Sequence, residues 1–167
     1  MIRPMSLPQI TKNFGVLEYE ELDGGWIKIT NNFESENMIK KWLPFSKKQK
    51  YVHKKIYPAL RKALHVIERM CMFNTEMEYI EEIQIFAPRH IGSNPKKRLS
   101  SHSWGIAFDI NPWENQMGNK DFKIPTKIVE VFKHVGFFWG GDFKSKVDAM
   151  HFEPRNDFFD FKVKWDS

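Results

Sequence analysis

Two stretches decide the reading of this chain: Leu99-Ser100-Ser101-His102-Ser103-Trp104-Gly105-Ile106-Ala107-Phe108-Asp109, and further along Asp148-Ala149-Met150-His151-Phe152-Glu153. The first fills the pattern Ser-x-His-x-x-Gly-x-Ala-x-Asp with Ser100, His102, Gly105, Ala107 and Asp109. The second, after a Trp139-Gly140-Gly141 turn, fills Asp-x-x-His-Phe-Glu. Imidazole nitrogen and carboxylate oxygen both ligate zinc, and three protein ligands leave a fourth position open for water, which is the mark of a catalytic site rather than a structural one. His102, Asp109 and His151 are the candidate ligands. Asp148, three residues before His151, is the candidate general base.

The spacing sets a geometric condition. His102 and Asp109 are seven residues apart, and on one unbroken strand an odd offset puts two side chains on opposite faces. A bend or bulge at Gly105 would let both point inward. His151 must then come from a neighbouring strand, with a turn folding the Asp148 carboxylate back toward the same point. A metal in that place lowers the pKa of water toward ~7, and the carboxylate base takes its proton and passes it to a leaving amine. Arg89, in the Phe86-Ala87-Pro88-Arg89 loop, is a candidate for steadying an oxyanion or binding a substrate carboxylate.

Outward from these motifs the chain reads as one α+β domain over residues 1–167, with a small antiparallel sheet carrying the zinc site and helices flanking it. An N-terminal hairpin and helices would occupy about 1–75 and the metal-site core about 79–154. Val16 to Thr30 reads as a hairpin around Asp23-Gly24-Gly25. A helix is expected from about Ser35 to Trp42, and a helical pattern from Ser46 to Phe73, in which Pro58 opens a new helix or kinks a long one. Strands are expected at Glu78–Phe86 and Trp104–Ile110 and again near His151, with a loop over Ala87–Leu99. A short helix from Ile124 to Val135 is opened by Pro125 and closed by Gly136. His53 and His65 lack companions at ligand spacing and read as packing or surface residues. Cys71, between methionines and a phenylalanine, reads as a small buried apolar residue and, as the single cysteine, excludes an internal disulfide. Trp104, Trp113 and Trp139 are assigned either to the cleft wall or to the core, and Asn111 and Asn115 to ordering the loop after Asp109.

At this point the sequence resembles the zinc D-alanyl-D-alanine carboxypeptidase family, which also includes D-alanyl-D-alanine dipeptidases and the L-alanyl-D-glutamate endopeptidases of phage lysins. The resemblance spans roughly Tyr79 to Pro154. It implies His102, Asp109 and His151 as zinc ligands, Asp148 as catalytic base, and peptidoglycan stem peptides as substrate. The family base is often glutamate, so aspartate at position 148 shortens the arm without changing its chemistry. Relatives place a functional arginine upstream of the first histidine at varying distance. Arg89 is the assignment here because it directly follows an expected strand, and Arg98 is the alternative, otherwise a solvated loop charge. Glu153 is expected to support the site rather than act as its base.

Composition bounds the partners. The formal charge is +5, with basic clusters at Lys40-Lys41, Lys47-Lys48-Gln49-Lys50, Lys54-Lys55 and Lys96-Lys97-Arg98. That favours an anionic partner such as a cell wall. No helix-turn-helix, zinc-knuckle or aromatic RNA-binding signature accompanies the charge, so nucleic acid is not expected. No apolar run reaches the ~18 residues of a membrane span, and the first residues carry no apolar signal core. The expectation is a monomer made in the cytoplasm that acts at the bacterial cell wall, as a phage-type lysin or a virion-carried protein. The competing reading is a non-catalytic zinc-binding interaction module of the same fold.

Overall fold

A computed structural model describes residues 1–74 and 78–160. The centre is a four-stranded antiparallel sheet in the order β5-β6-β8-β7, formed by β5 (Ile83–Gln84), β6 (Phe108–Ile110), β8 (His151–Pro154) and β7 (Phe137–Trp139). Two small hairpins precede it in the chain: β1 (Tyr19–Glu21) with β2 (Ile27–Ile29), and β3 (Met38–Lys41) with β4 (Lys50–His53). The helices are α1 (Leu7–Phe14), α2 (Phe33–Asn37), α3 (Tyr57–Cys71) and α4 (Thr126–His134). The architecture is the expected α+β domain with the His-Asp-His cluster on the antiparallel sheet. No helix among the described residues is long and apolar enough to cross a membrane.

Strand alternation sorts the sheet into two faces. Phe108 lies opposite Phe152 and Asp109 opposite His151, and successive side chains along a strand point to opposite sides. One face therefore carries phenylalanines. Phe108 stacks on Phe152 at 5.2 Å between ring centres, and Phe132 of α4 and Phe137 of β7 close around them at 4.9 and 5.0 Å from Phe108. Fully burying a side chain of this size stabilises by roughly 1.5–3 kcal/mol each, so the aromatic layer is a firm base for whatever the other face bears. That other face carries Asp109, His151 and Glu153.

Several expected elements change. The hairpin at 16–30 forms, but with strands of three residues each. The helix expected from Ser35 to Trp42 stops at Asn37, and Met38–Lys41 continues as strand β3. Its partner β4 falls inside the run expected to be helical from Ser46. Pairing overrides local pattern here: burial falls off along β3 from Met38 to Lys41 and rises along β4 from Lys50 to Val52 and His53, so the hairpin has a buried base and an exposed tip and shows no alternation to read. Pro58 opens α3 in its first turn, as one of the two expected alternatives. Only Ile83–Gln84 of the Glu78–Phe86 segment is strand, and only Phe108–Ile110 of Trp104–Ile110. The helix after Pro125 runs Thr126–His134, ending just before Gly136. Cys71, expected to be buried, is half-buried at the end of α3.

Candidate metal centre

His102 sits on a 3-10 turn, Ser101–Trp104, whose entry is capped by Ser100 Oγ accepting from the His102 amide at 3.4 Å. Gly105 ends the turn in the left-handed region, at φ 63° and ψ 27°. A Cβ there would run into the Met38 side chain, and the His53 amide donates to the Gly105 carbonyl at 2.9 Å. Glycine is favoured there by its left-handed conformation, while the flexible end of Met38 could move aside. This is the bend that the spacing of His102 and Asp109 demands. It turns the chain from the 3-10 turn into β6, so that both side chains reach one point.

Three donor atoms meet there. His102 Nε2, Asp109 Oδ1 and His151 Nδ1 form a triangle with every edge at 3.2 Å. Metal–ligand bonds of about 2.0–2.1 Å at tetrahedral angles require ligand separations of ~3.3–3.4 Å, so the triangle fits a small divalent ion such as zinc. The ring environments agree. His102 Nδ1–H donates to the Ile85 carbonyl at 2.7 Å, leaving Nε2 with its lone pair toward the centre. His151 Nε2 faces Glu153 Oε1 at 3.5 Å, which leaves Nδ1 to do the same. Two lone pairs and a carboxylate oxygen converging in a buried place are poor neighbours for one another, and a cation resolves the conflict.

The electrostatics follow from burial and proximity. Burial works against the Asp109 carboxylate, but His102 and His151 outweigh it and hold its pKa well below the usual carboxylate range. Burial likewise opposes a charged His151, while Asp109 and Glu153 overcome it and raise its pKa. Burial raises the carboxyl of Asp148, with His151 opposing and Asp109 adding to the rise. Asp148 Oδ1 and Glu153 Oε2 are buried without a hydrogen-bond partner. Such orphaned atoms are costly and uncommon in native structures, and here both belong to residues that border the cleft above the triangle.

That cleft has a volume of about 300 Å³ and is bordered by the three cluster residues, Asp148, Glu153 and a cationic wall that includes Arg89, Arg98 and Lys146. The turn bearing Asp148 is braced from behind. Its amide donates to the Gly140 carbonyl at 3.0 Å, and its carbonyl accepts from the His151 amide at 3.1 Å. A Cβ on Gly140 would strike the Asp148 carbonyl, which gives the Trp-Gly-Gly turn its physical meaning. Arg89 is fixed by its backbone, exchanging hydrogen bonds with Ser103 Oγ at 3.0 Å in both directions. Its guanidinium donates to Ser93 Oγ at 3.4 Å and lies 5.9 Å from the Trp26 ring centre. Arg98 borders the same cleft and donates to its neighbour's carbonyl, Leu99 O, at 3.2 Å. Both arginines therefore stand at the site.

Other expectations resolve as follows. Trp104 is buried in the core and donates to Gly15 O, Trp139 donates to Ala149 O, and Trp113 is exposed; none borders the cleft. Asn111 and Asn115 do order the loop after Asp109. Asn111 Oδ1 accepts from the Glu81 and Glu82 amides, and Asn115 bonds Tyr79 Oη, Ile110 O and the Lys123 amide. His53 is a packing residue, its Nε2 bonded to Phe14 O, and His65 pairs with Glu68 at the surface. The sequence reading missed His90. It is buried, with Nε2 on both Glu21 oxygens at 3.0 and 3.1 Å and Nδ1 on the Lys97 carbonyl. Burial opposes its charge, but Glu21 and the carbonyl contacts raise its pKa. It ties the 87–99 loop to the first hairpin, a long-range pairing without a local pattern.

Fold and site together define an α+β protein with a buried His-Asp-His group that could hold a metal ion. Residues 93–154 match the family model described as D-alanyl-D-alanine carboxypeptidase. The family resemblance thus holds over a segment that contains all three cluster residues, Asp148 and Glu153, with Arg89 just upstream of it. No solved structure matches the chain.

Proposed function

We propose that this protein is a zinc-dependent peptidase that hydrolyses peptidoglycan stem peptides, cutting either a terminal D-Ala-D-Ala bond or an internal L-Ala-D-Glu bond. The observation that carries this reading is the 3.2 Å triangle of His102 Nε2, Asp109 Oδ1 and His151 Nδ1 beneath a cleft bordered by Asp148, whose carboxylate has a buried, unpartnered oxygen. His102, Asp109 and His151 would hold the ion. When bound, zinc supplies Lewis acidity, polarising a scissile carbonyl and making water nucleophilic at neutral pH.

The chain's own groups do the rest. Asp148 accepts the proton of the attacking water and returns it to the leaving amine. Its burial keeps the carboxyl from being so weak a base that it could not take that proton. Arg89 offers a guanidinium to an oxyanion or to a substrate carboxylate, and Ser93 and the Trp26 ring hold it on the cleft wall. The cationic wall suits a substrate rich in carboxylates.

The test is digestion of purified peptidoglycan with and without chelator, with mass spectrometry of the released fragments. Free D-alanine identifies a carboxypeptidase, and a new D-Glu amino terminus an endopeptidase. Asp148→Ala is expected to keep metal affinity and to lose at least about 100-fold in turnover, the lower range for a general base. Unchanged turnover in that variant overturns the base assignment. No chelator-sensitive release from any wall favours a non-catalytic metal-binding module instead.

A further inference from the structure

The charge of this molecule is unevenly placed. Between Asn37 and Ile67 there are nine lysines and arginines and not one aspartate or glutamate, so the +5 of the whole chain resides there and the rest is net −4. The structure gathers much of this stretch around one groove of about 640 Å³ between the β3–β4 hairpin and α3, bordered by Lys40, Lys41, Trp42, Tyr57 and Arg61 and, on α3, by one carboxylate, Glu68, which pairs with His65. It shares no bordering residue with the metal cleft. Lys40, Lys41, Lys47, Lys48 and Arg61 are exposed, and none of them forms an ion pair among the described residues.

Two features set this face apart from an ordinary solvated surface. Trp42 is 62% exposed amid the lysines, and Tyr51, 46% exposed, lies beneath the Lys40 ammonium at 5.5 Å. Flat aromatic faces beside cations suit a ligand with both C–H surfaces and anionic groups. The connecting loop is also held rigidly. Ser46 Oγ donates to the Leu43 carbonyl at 2.7 Å and accepts from its amide at 3.1 Å, and Phe45 is held at φ 64°, where a bulky residue is strained. Burial pulls the Lys50 ammonium below its usual range; Glu82 opposes that, and the like charge of Lys48 adds to it. A bound anion would relieve the crowding of like charges.

We propose that the groove between the β3–β4 hairpin and α3 docks a polyol-phosphate polymer attached to the bacterial wall, through Lys40, Lys41 and Arg61 on its phosphates and Trp42 on its carbon backbone. The choice of a wall polymer rests on the proposed peptidase function, because such a polymer would hold the metal cleft near stem peptides. The groove itself recognises a repeating phosphodiester by charge and an apolar edge by stacking.

The experiment is co-sedimentation with Gram-positive walls, intact or stripped of phosphodiester polymers with hydrofluoric acid. All proteins carry Asp148→Asn, so that the walls are not digested. Intact walls are expected to bind in a salt-sensitive manner and stripped walls to bind at least about 10-fold more weakly. Changing Lys40, Lys41 and Arg61 together to Gln should weaken binding by about 100-fold, at ~1 kcal/mol per surface cation. Trp42→Ala should weaken it by about tenfold, as an exposed aromatic anchor does, and needs no change in charge. Equal binding to stripped walls, equal binding by both variants, no binding at all, or tighter binding to double-stranded DNA at the same ionic strength overturns the proposal. Cleavage of a soluble stem peptide by the chain with Asp148 intact is scored separately. Its absence would count against the peptidase and not against wall docking.

Discussion

Glu153 is placed to set the chemistry of the candidate ligand His151. It is buried, and its Oε1 lies 3.5 Å from His151 Nε2. Accepting that N–H fixes the imidazole tautomer, so that Nδ1 presents its lone pair to the cluster. Burial opposes the charge on Glu153, but His151 more than offsets it, with Ser101 and Arg98 contributing in the same direction. Glu153→Gln removes the charge while keeping the side chain's size and an acceptor oxygen. It should weaken metal binding about tenfold, the low end for outer partners of metal ligands, with little change in Tm when metal is saturating. A chromophoric chelator measures the affinity, and nitrogen-detected NMR of His151 reports the tautomer. An unchanged affinity together with an unchanged His151 spectrum would remove Glu153 from this role. A purely structural residue would lower the Tm without moving that spectrum.

At the scale of elements, the 87–99 loop is what turns a metal cluster into a cleft, and His90 fastens it. Both ring nitrogens face oxygens, a carboxylate and a carbonyl, so both are satisfied only when the ring is charged. Glu21→Gln should therefore loosen the loop. With His90 raised above its ordinary value, the stabilisation is fully present below pH ~6.5 and is lost as pH rises through the raised pKa. Glu21 is half exposed, so solvent limits the contribution to about 1 kcal/mol at most. Chemical denaturation of wild type and Glu21→Gln should differ near pH 6 and converge at alkaline pH; a difference that grows with pH would contradict the assignment. This strap also marks a boundary of what sequence patterns reveal. The convergence of His102, Asp109 and His151 and the bend at Gly105 were legible because these residues fill a motif that resembles a known family's, and because the odd offset between His102 and Asp109 calls for a bend. The Glu21–His90 contact joins residues far apart in the chain with no pattern around either. The β3–β4 hairpin was hidden differently: its four-residue strands are buried at the base, around Met38 and His53, and exposed at the lysine-rich tip, so no period-two pattern marks them and only pairing decides for strand.

For the molecule as a whole, the His102-Asp109-His151 group and the phenylalanine layer lie on opposite faces of one sheet, which would couple binding of an ion to folding. β6 and β8 contribute Phe108 and Phe152 to the core and Asp109 and His151 to the cluster, so a ligand on one face stabilises the strands that pack the other. The unfolded chain does not hold His102, Asp109 and His151 together, and an ion that binds only the folded form stabilises it by mass action. At a free ion concentration 100 times the dissociation constant, the gain is about 2.7 kcal/mol. For a domain of this size each kcal/mol moves Tm by about 2–4 °C. Zinc added to chelator-treated protein should therefore raise Tm by roughly 5–10 °C. Asp109→Asn should abolish most of that rise, because the amide cannot supply the anionic oxygen that completes the triangle. Asp148→Ala should retain it, since its carboxylate is assigned to the proton and not to the ion. Scanning calorimetry of the three proteins with and without zinc distinguishes these roles: a Tm rise that survives in Asp109→Asn would place the ion elsewhere, and one lost in Asp148→Ala would make Asp148 a ligand rather than a base.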